Sequence, residues 1–237
     1  MSIRSRVLPF LALAAVLAPR AAAAQSAKSD GGSVAKVRDD RFKWFFGAEG
    51  GAMFFKTQTR TTTGIPTVGA HIEVVSRRAG LTLGVDQGFG STEETAFLDL
   101  FTTDTSQVVG ARRVTFDKIR RWGFTLTGYP VRGHVEPYLG LGFGLTEVVG
   151  TTVYGPFFDQ ADAAASLAAA RSVSTAAFAS LMGGLQFRVG RLAAFGQYQI
   201  NTSPAENTLL RGPMHLLTGG LRWSLGSARE DVKGGGY

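Results

Sequence analysis

Residues 134–150 read HVEPYLGLGFGLTEVVG, with Val135, Pro137, Leu139, Leu141, Phe143 and Leu145 at every second position. Glu136, Tyr138, Gly140, Gly142, Gly144 and Thr146 sit between them. A period of two marks a strand with one apolar face and one small or polar face. Seven more segments carry the same alternation, over 42–55, 67–76, 80–90, 113–129, 175–189, 191–201 and 214–226. Most are as long as the roughly 9 to 11 residues with which a tilted strand crosses a bilayer, or longer.

The polar faces collect Glu49, Glu73, Asp86, Arg121, Glu136, Arg188 and Arg222, along with His71, Gln186, Gln197 and Gln199. Near the middle of a membrane, a charge turned toward lipid would cost about 2 to 4 kcal/mol for arginine. Turned into the core of a soluble barrel, the same groups would replace the apolar filling that such a core needs. A narrow, glycine-lined lumen lets them pair with one another. The apolar faces therefore point to lipid, with Trp44, Phe89, Trp122, Tyr198 and Trp223 near strand ends as an interfacial girdle. At Lys118 and Arg120 the phase slips and charges fall on the lipid side, so the outer part of that strand stands clear of the hydrocarbon.

The connections alternate strictly in length. RRA, PVRG and VGR are short, whereas 56–66, 91–112, 151–174 and 202–213 are long. Tight turns on one side and longer loops on the other form the pattern of bacterial outer-membrane barrels, with both termini in the periplasm. Inside the third long loop, DQADAAASLAAARS reads equally as a short outer helix or as an alanine-rich irregular loop.

The N-terminus agrees with export. Arg4 and Arg6 precede an apolar run over 7–17, too short for a spanning helix, and Ala22-Ala23-Ala24 offers a cleavage site. The expected organisation is a signal peptide over 1–24, a flexible periplasmic lead-in over 25–41, a barrel over 42–226 and a polar tail over 227–237. Losing Arg4, Arg6 and Arg20 lowers Lys+Arg from 25 to 22 against 18 acids, and the net charge from +7 to +4. That modest excess suits anionic lipid head groups and includes no basic run of the kind nucleic acid requires. The chain has no cysteine, hence neither disulfides nor thiolate metal sites.

Three stretches, WFFGAEGGAMFF, GYPVRGHVEPYLGLGFGL and LLTGGLRWSLG, resemble the small eight-stranded outer-membrane barrels of the outer membrane protein β-barrel domain family. The resemblance runs over about 42–226 and implies an all-β, eight-stranded antiparallel up-and-down transmembrane β-barrel in the outer membrane of a Gram-negative-type bacterium. It also implies outer-membrane lipid, lipopolysaccharide and the outer-membrane assembly machinery as partners, and a monomer. In one respect the chain departs from the family. Such barrels often end on an aromatic residue of the last strand, whereas here Trp223 and Leu225 are followed by SAREDVKGGGY.

Candidate chemistry is sparse. His71-x-Glu73 offers two ligands on one face without a recognisable third, so it reads as an interior hydrogen-bonded pair, and neither metal nor cofactor is expected. Lipid A deacylases of similar size use a His-x-Ser pair on a late strand, where this chain has YQINTS. Gly140, Gly142 and Gly144 alternate within a strand, unlike a phosphate loop, which opens a helix. The expectation is a non-enzymatic barrel that presents four outer loops and keeps a charge network of Glu49, Glu73, Asp86, Arg121, Glu136, Arg188 and Arg222 in its lumen. The alternatives are a narrow channel for small solutes and, further off, a lipid-modifying enzyme. Eight strands leave a lumen just wide enough for side chains to fill, which favours the first reading.

Overall fold

The computed structural model describes residues 42–103, 106–202 and 208–227. The expected signal peptide and lead-in, and the tail beyond Ser227, lie outside them. The elements in chain order are β1 (Lys43–Thr57), β2 (Thr63–Ser76), β3 (Ala79–Thr102), β4 (Gln107–Gly128), β5 (Val135–Val149), β6 (Thr152–Tyr154), α1 (Gln160–Ser172), β7 (Thr175–Val189), β8 (Leu192–Asn201) and β9 (Leu210–Ser227). All strands but the three-residue β6 pair antiparallel with their neighbours in chain order. The last strand, β9, closes on β1, from Lys43 opposite Ser227 to Thr57 opposite Leu210. This is an all-β, closed, eight-stranded antiparallel barrel.

One end of the barrel carries the tight turns. Ser76 pairs with Ala79 and Val189 with Leu192, so two hairpins turn on two residues each, Arg77-Arg78 and Gly190-Arg191. Arg77 and Gly190 have φ of 50° and 61°. Positive φ at the first turn position matches the twist of the flanking strands. The other end carries the long connections.

The link expected over 91–112 is mostly strand. β3 runs on to Thr102 and β4 starts at Gln107, giving a hairpin that extends beyond the loop end. The register shifts between Phe89 and Glu93. Below the shift Gly80, Thr82, Gly84, Asp86 and Gly88 face inward; above it Glu93, Thr95, Phe97 and Asp99 do. A bulge of this kind exchanges the two faces of a strand. The third long loop holds β6, which pairs with Arg113–Thr115 of β4, followed by helix α1. Asp159 caps α1 by accepting from the Asp162 amide at 2.7 Å, and Asp162 accepts in turn from the Phe158 amide at 3.0 Å.

The interior is layered, and here the expectation of a polar, glycine-lined lumen needs correction. Toward the loop end it is packed with apolar side chains, among them Met53, Phe55, Ile65, Phe116, Ile119 and Leu216, and Ala170 of α1 is buried against them. Charged and polar groups occupy the middle. Phe45, Val75, Tyr129, Tyr138 and Met182 form a second apolar cluster nearer the turns.

Candidate functional site

The seven charged positions singled out in the sequence all lie on inward faces, and they form three groups. In the first, Arg222 of β9 reaches Glu73 of β2 at 3.2 Å and donates to Gln186 Oε1 at 2.9 Å. Glu73 also accepts from the Tyr129 hydroxyl and, at 3.4 Å, from Thr127. Arg222 Nε donates to His71 Nε2 at 3.0 Å, which leaves His71 Nδ1 as the donor to Glu49 Oε1 at 3.2 Å. Gln197 and Thr218 complete the Glu49 carboxylate at 3.0 and 2.8 Å. The Arg222 guanidinium lies 4.2 Å from the Phe195 ring centroid. Arg222 is thus a shared partner of His71 and Glu73.

In the second group Asp86 and Arg121 stand directly opposite each other on β3 and β4 and pair at 3.0 Å. The Arg121 guanidinium sits 4.8 Å from the Phe178 ring. In the third, Glu136 accepts from Arg188 and Arg132, both at 3.1 Å, and from Gln186. Arg132 was not among the expected network residues, because it lies in the β4–β5 turn. Its guanidinium stacks on Tyr129 at 4.2 Å and also donates to the Arg77 carbonyl, so it ties two turns to the lumen. With it, four arginines face the four carboxylates.

Backbone positions without a side chain make the network possible. Gly47 of β1 pairs with His71 on one side and with Arg222 on the other. The imidazole and guanidinium meet across that gap, and a Cβ at Gly47 would overlap the His71 ring. The remaining cavity among Glu49, His71, Asp86, Arg121, Gln197 and Arg222 measures about 40 Å³. That holds a few waters at most.

A further cluster went unread in the sequence. Arg112 pairs with Asp99 across the extended hairpin, stacks between Phe101 and Phe157 at 4.2 and 4.6 Å, and donates to the Pro156 carbonyl at 3.2 Å. It fastens the β3–β4 hairpin to the loop before α1. Phe97 and Leu98, like Leu100 and Phe101, are apolar neighbours on opposite faces, so no alternation announced a strand there.

On the outside, every position facing outward from Trp44 to Phe54 on β1 is apolar or glycine. The same holds from 66 to 74 on β2, 81 to 85 on β3, 122 to 128 on β4 and 135 to 145 on β5, and from 177 to 189 on β7 and 217 to 225 on β9. On β8, from 192 to 200, Tyr198 adds one hydroxyl. Leu141, Phe143, Leu221 and Trp223 are all at least half exposed. Charges reappear at the loop end of this belt, with Arg120 hydrogen-bonded to Gln87 at 3.1 Å.

No protein-family model and no curated protein matches the sequence. Among solved structures, Neisserial surface protein A (NspA) is similar at a TM-score of 0.51, with 13% identity over 76% of this chain and 96% of that one. The fold is that of NspA. The N-terminal β-barrel domain of Pseudomonas aeruginosa OprF (TM-score 0.39, 9% identity, covering 75% of this chain and 96% of that one) is more distant. So is Ail, the attachment invasion locus protein of Yersinia pestis, solved with the heparin analogue sucrose octasulfate (TM-score 0.39, 10% identity, 77% and 99%). At these identities the likeness is one of fold.

Proposed function

We propose that the chain is an outer-membrane β-barrel whose role is structural or surface-interacting: it anchors in lipid and presents its long connections to the outside. The uncharged belt carries this reading. From Val135 to Leu145 it runs ten residue steps along β5, about 33 Å at 3.3 Å per step and about 25 Å in height at a tilt of ~40°. An exposed apolar band of that height, closed around the whole barrel, is far larger than the patches water-soluble monomers expose. The barrel likeness to NspA supports the outer membrane as its location.

The layered interior favours an anchor over a channel, because both the apolar packing and the ion-pair groups occupy the route a solute would take. Among the described residues, no nucleophile stands together with a base and an orienting group on the inward face, which favours a non-enzymatic role. Refolded protein should resist carbonate extraction from vesicles and should migrate differently in detergent gels before and after boiling. Recovery in the soluble fraction would overturn the membrane reading. A large, steady single-channel conductance would replace the anchor by the channel.

A further inference from the structure

At the loop end of the belt one place departs from its surroundings. Lys56 of β1 and Arg211 of β9 are cross-strand partners, and both are exposed on the outward face. Like charges directly opposite each other destabilise a sheet unless something neutralises them. Neither has an ion-pair partner among the described residues, whereas Arg60, Arg112 and Arg113 at the same end pair with Glu93, Asp99 and Glu94.

The pairing is built by an irregularity. Between Phe54–His215 and Lys56–Arg211, β9 takes four residue steps where β1 takes two, so Arg211 keeps its outward direction. Gly212 sits in this bulge at φ 71°, a backbone conformation glycine adopts freely. Immediately below, His215 Nδ1 and the Tyr198 hydroxyl are 2.6 Å apart on the same outward face. Two cations and two hydrogen-bonding rings from three adjacent strands therefore border an otherwise uncharged apolar wall.

We infer that Lys56 and Arg211, with His215 and Tyr198 beneath them, bind the phosphate of an anionic lipid head group whose acyl chains lie along the belt. This rests on the membrane reading above. Its position at the edge of the hydrocarbon is where head-group phosphates stand, and a phosphate between the two cations would relieve their repulsion while the rings contact the upper acyl chain and glycerol region.

The test is native mass spectrometry of protein refolded into phosphatidylcholine vesicles containing a minority of lipid A or of phosphatidylglycerol, with retained lipid counted. Wild type should retain the phosphate-bearing lipid over phosphatidylcholine. The Lys56→Gln/Arg211→Gln double variant should lose about fivefold of that preference per cation removed. Equal retention by wild type and the double variant would overturn the site. Displacement of the lipid by inorganic phosphate at matched concentration would overturn the lipid as ligand in favour of a free anion. Gel migration of the same samples, boiled and unboiled, separates the two readings: a folded, inserted barrel without lipid preference sinks only the site, whereas a chain that fails to insert sinks the membrane reading and the site with it.

Discussion

Replacing Arg222 by methionine keeps the stem and removes the charge at the centre of the largest lumen group. Arg222 and Glu73 are each about 1% exposed, and their contact is 3.2 Å. Removing one partner of a buried pair costs about 3 to 5 kcal/mol, because the other charge is left uncompensated. Tyr129 and Thr127 still hydrogen-bond the Glu73 carboxylate, so Arg222→Met should fall near the lower figure, about 3 kcal/mol. Adding Glu73→Gln removes the stranded charge while keeping an acceptor for Tyr129. The double variant should therefore be more stable than Arg222→Met alone, with a coupling of at least about 1 kcal/mol. Urea unfolding of the refolded barrel, followed by the fluorescence of Trp44, Trp122 and Trp223 on the lipid-facing side, measures all four corners of the cycle. A single substitution costing less than about 1 kcal/mol, or additive effects, would refute the buried-pair reasoning.

Gly47→Ala should place its methyl where the His71 ring lies and part His71 from Arg222, destabilising by about 1 to 3 kcal/mol. The urea midpoint measures it, and an unchanged midpoint would show that the ring moves aside freely. Asp159→Ala removes the α1 cap and should weaken the helix by about 1 kcal/mol; cleavage in 155–173 by added protease should quicken while the barrel's unfolding midpoint stays in place. An epitope at the exposed Gly155 should be reached by antibody on intact cells and one after Gly226 should not, since surface connections tolerate insertion; labelling of the tail alone would invert the topology.

Sequence alone determined the strands and their faces. Side chains alternate with a period of two whatever surrounds them, so Glu49, Glu73, Asp86, Arg121, Glu136, Arg188 and Arg222 shared a face wherever the apolar alternation was clean. It failed where alternation does not carry the information. The hairpin beyond Phe89 mixes polar and apolar residues on both faces, with Glu93, Thr95, Phe97 and Asp99 inward and Glu94, Ala96, Leu98 and Leu100 outward, and so reads as a long link rather than as strand. The helix in 151–174 was undecidable because thirteen residues are marginal alone; burial of Ala170 against the loop-end packing decides it. Only tertiary structure decided who meets whom. His71 and Arg222 lie 151 positions apart in the chain and touch because both stand opposite Gly47. Arg132 joins Glu136 because a turn folds back over the rim, and Lys56 faces Arg211 because barrel closure and a bulge set the β1–β9 register. Closure joins the first strand to the last, and that register is a global property of the barrel which no local pattern encodes.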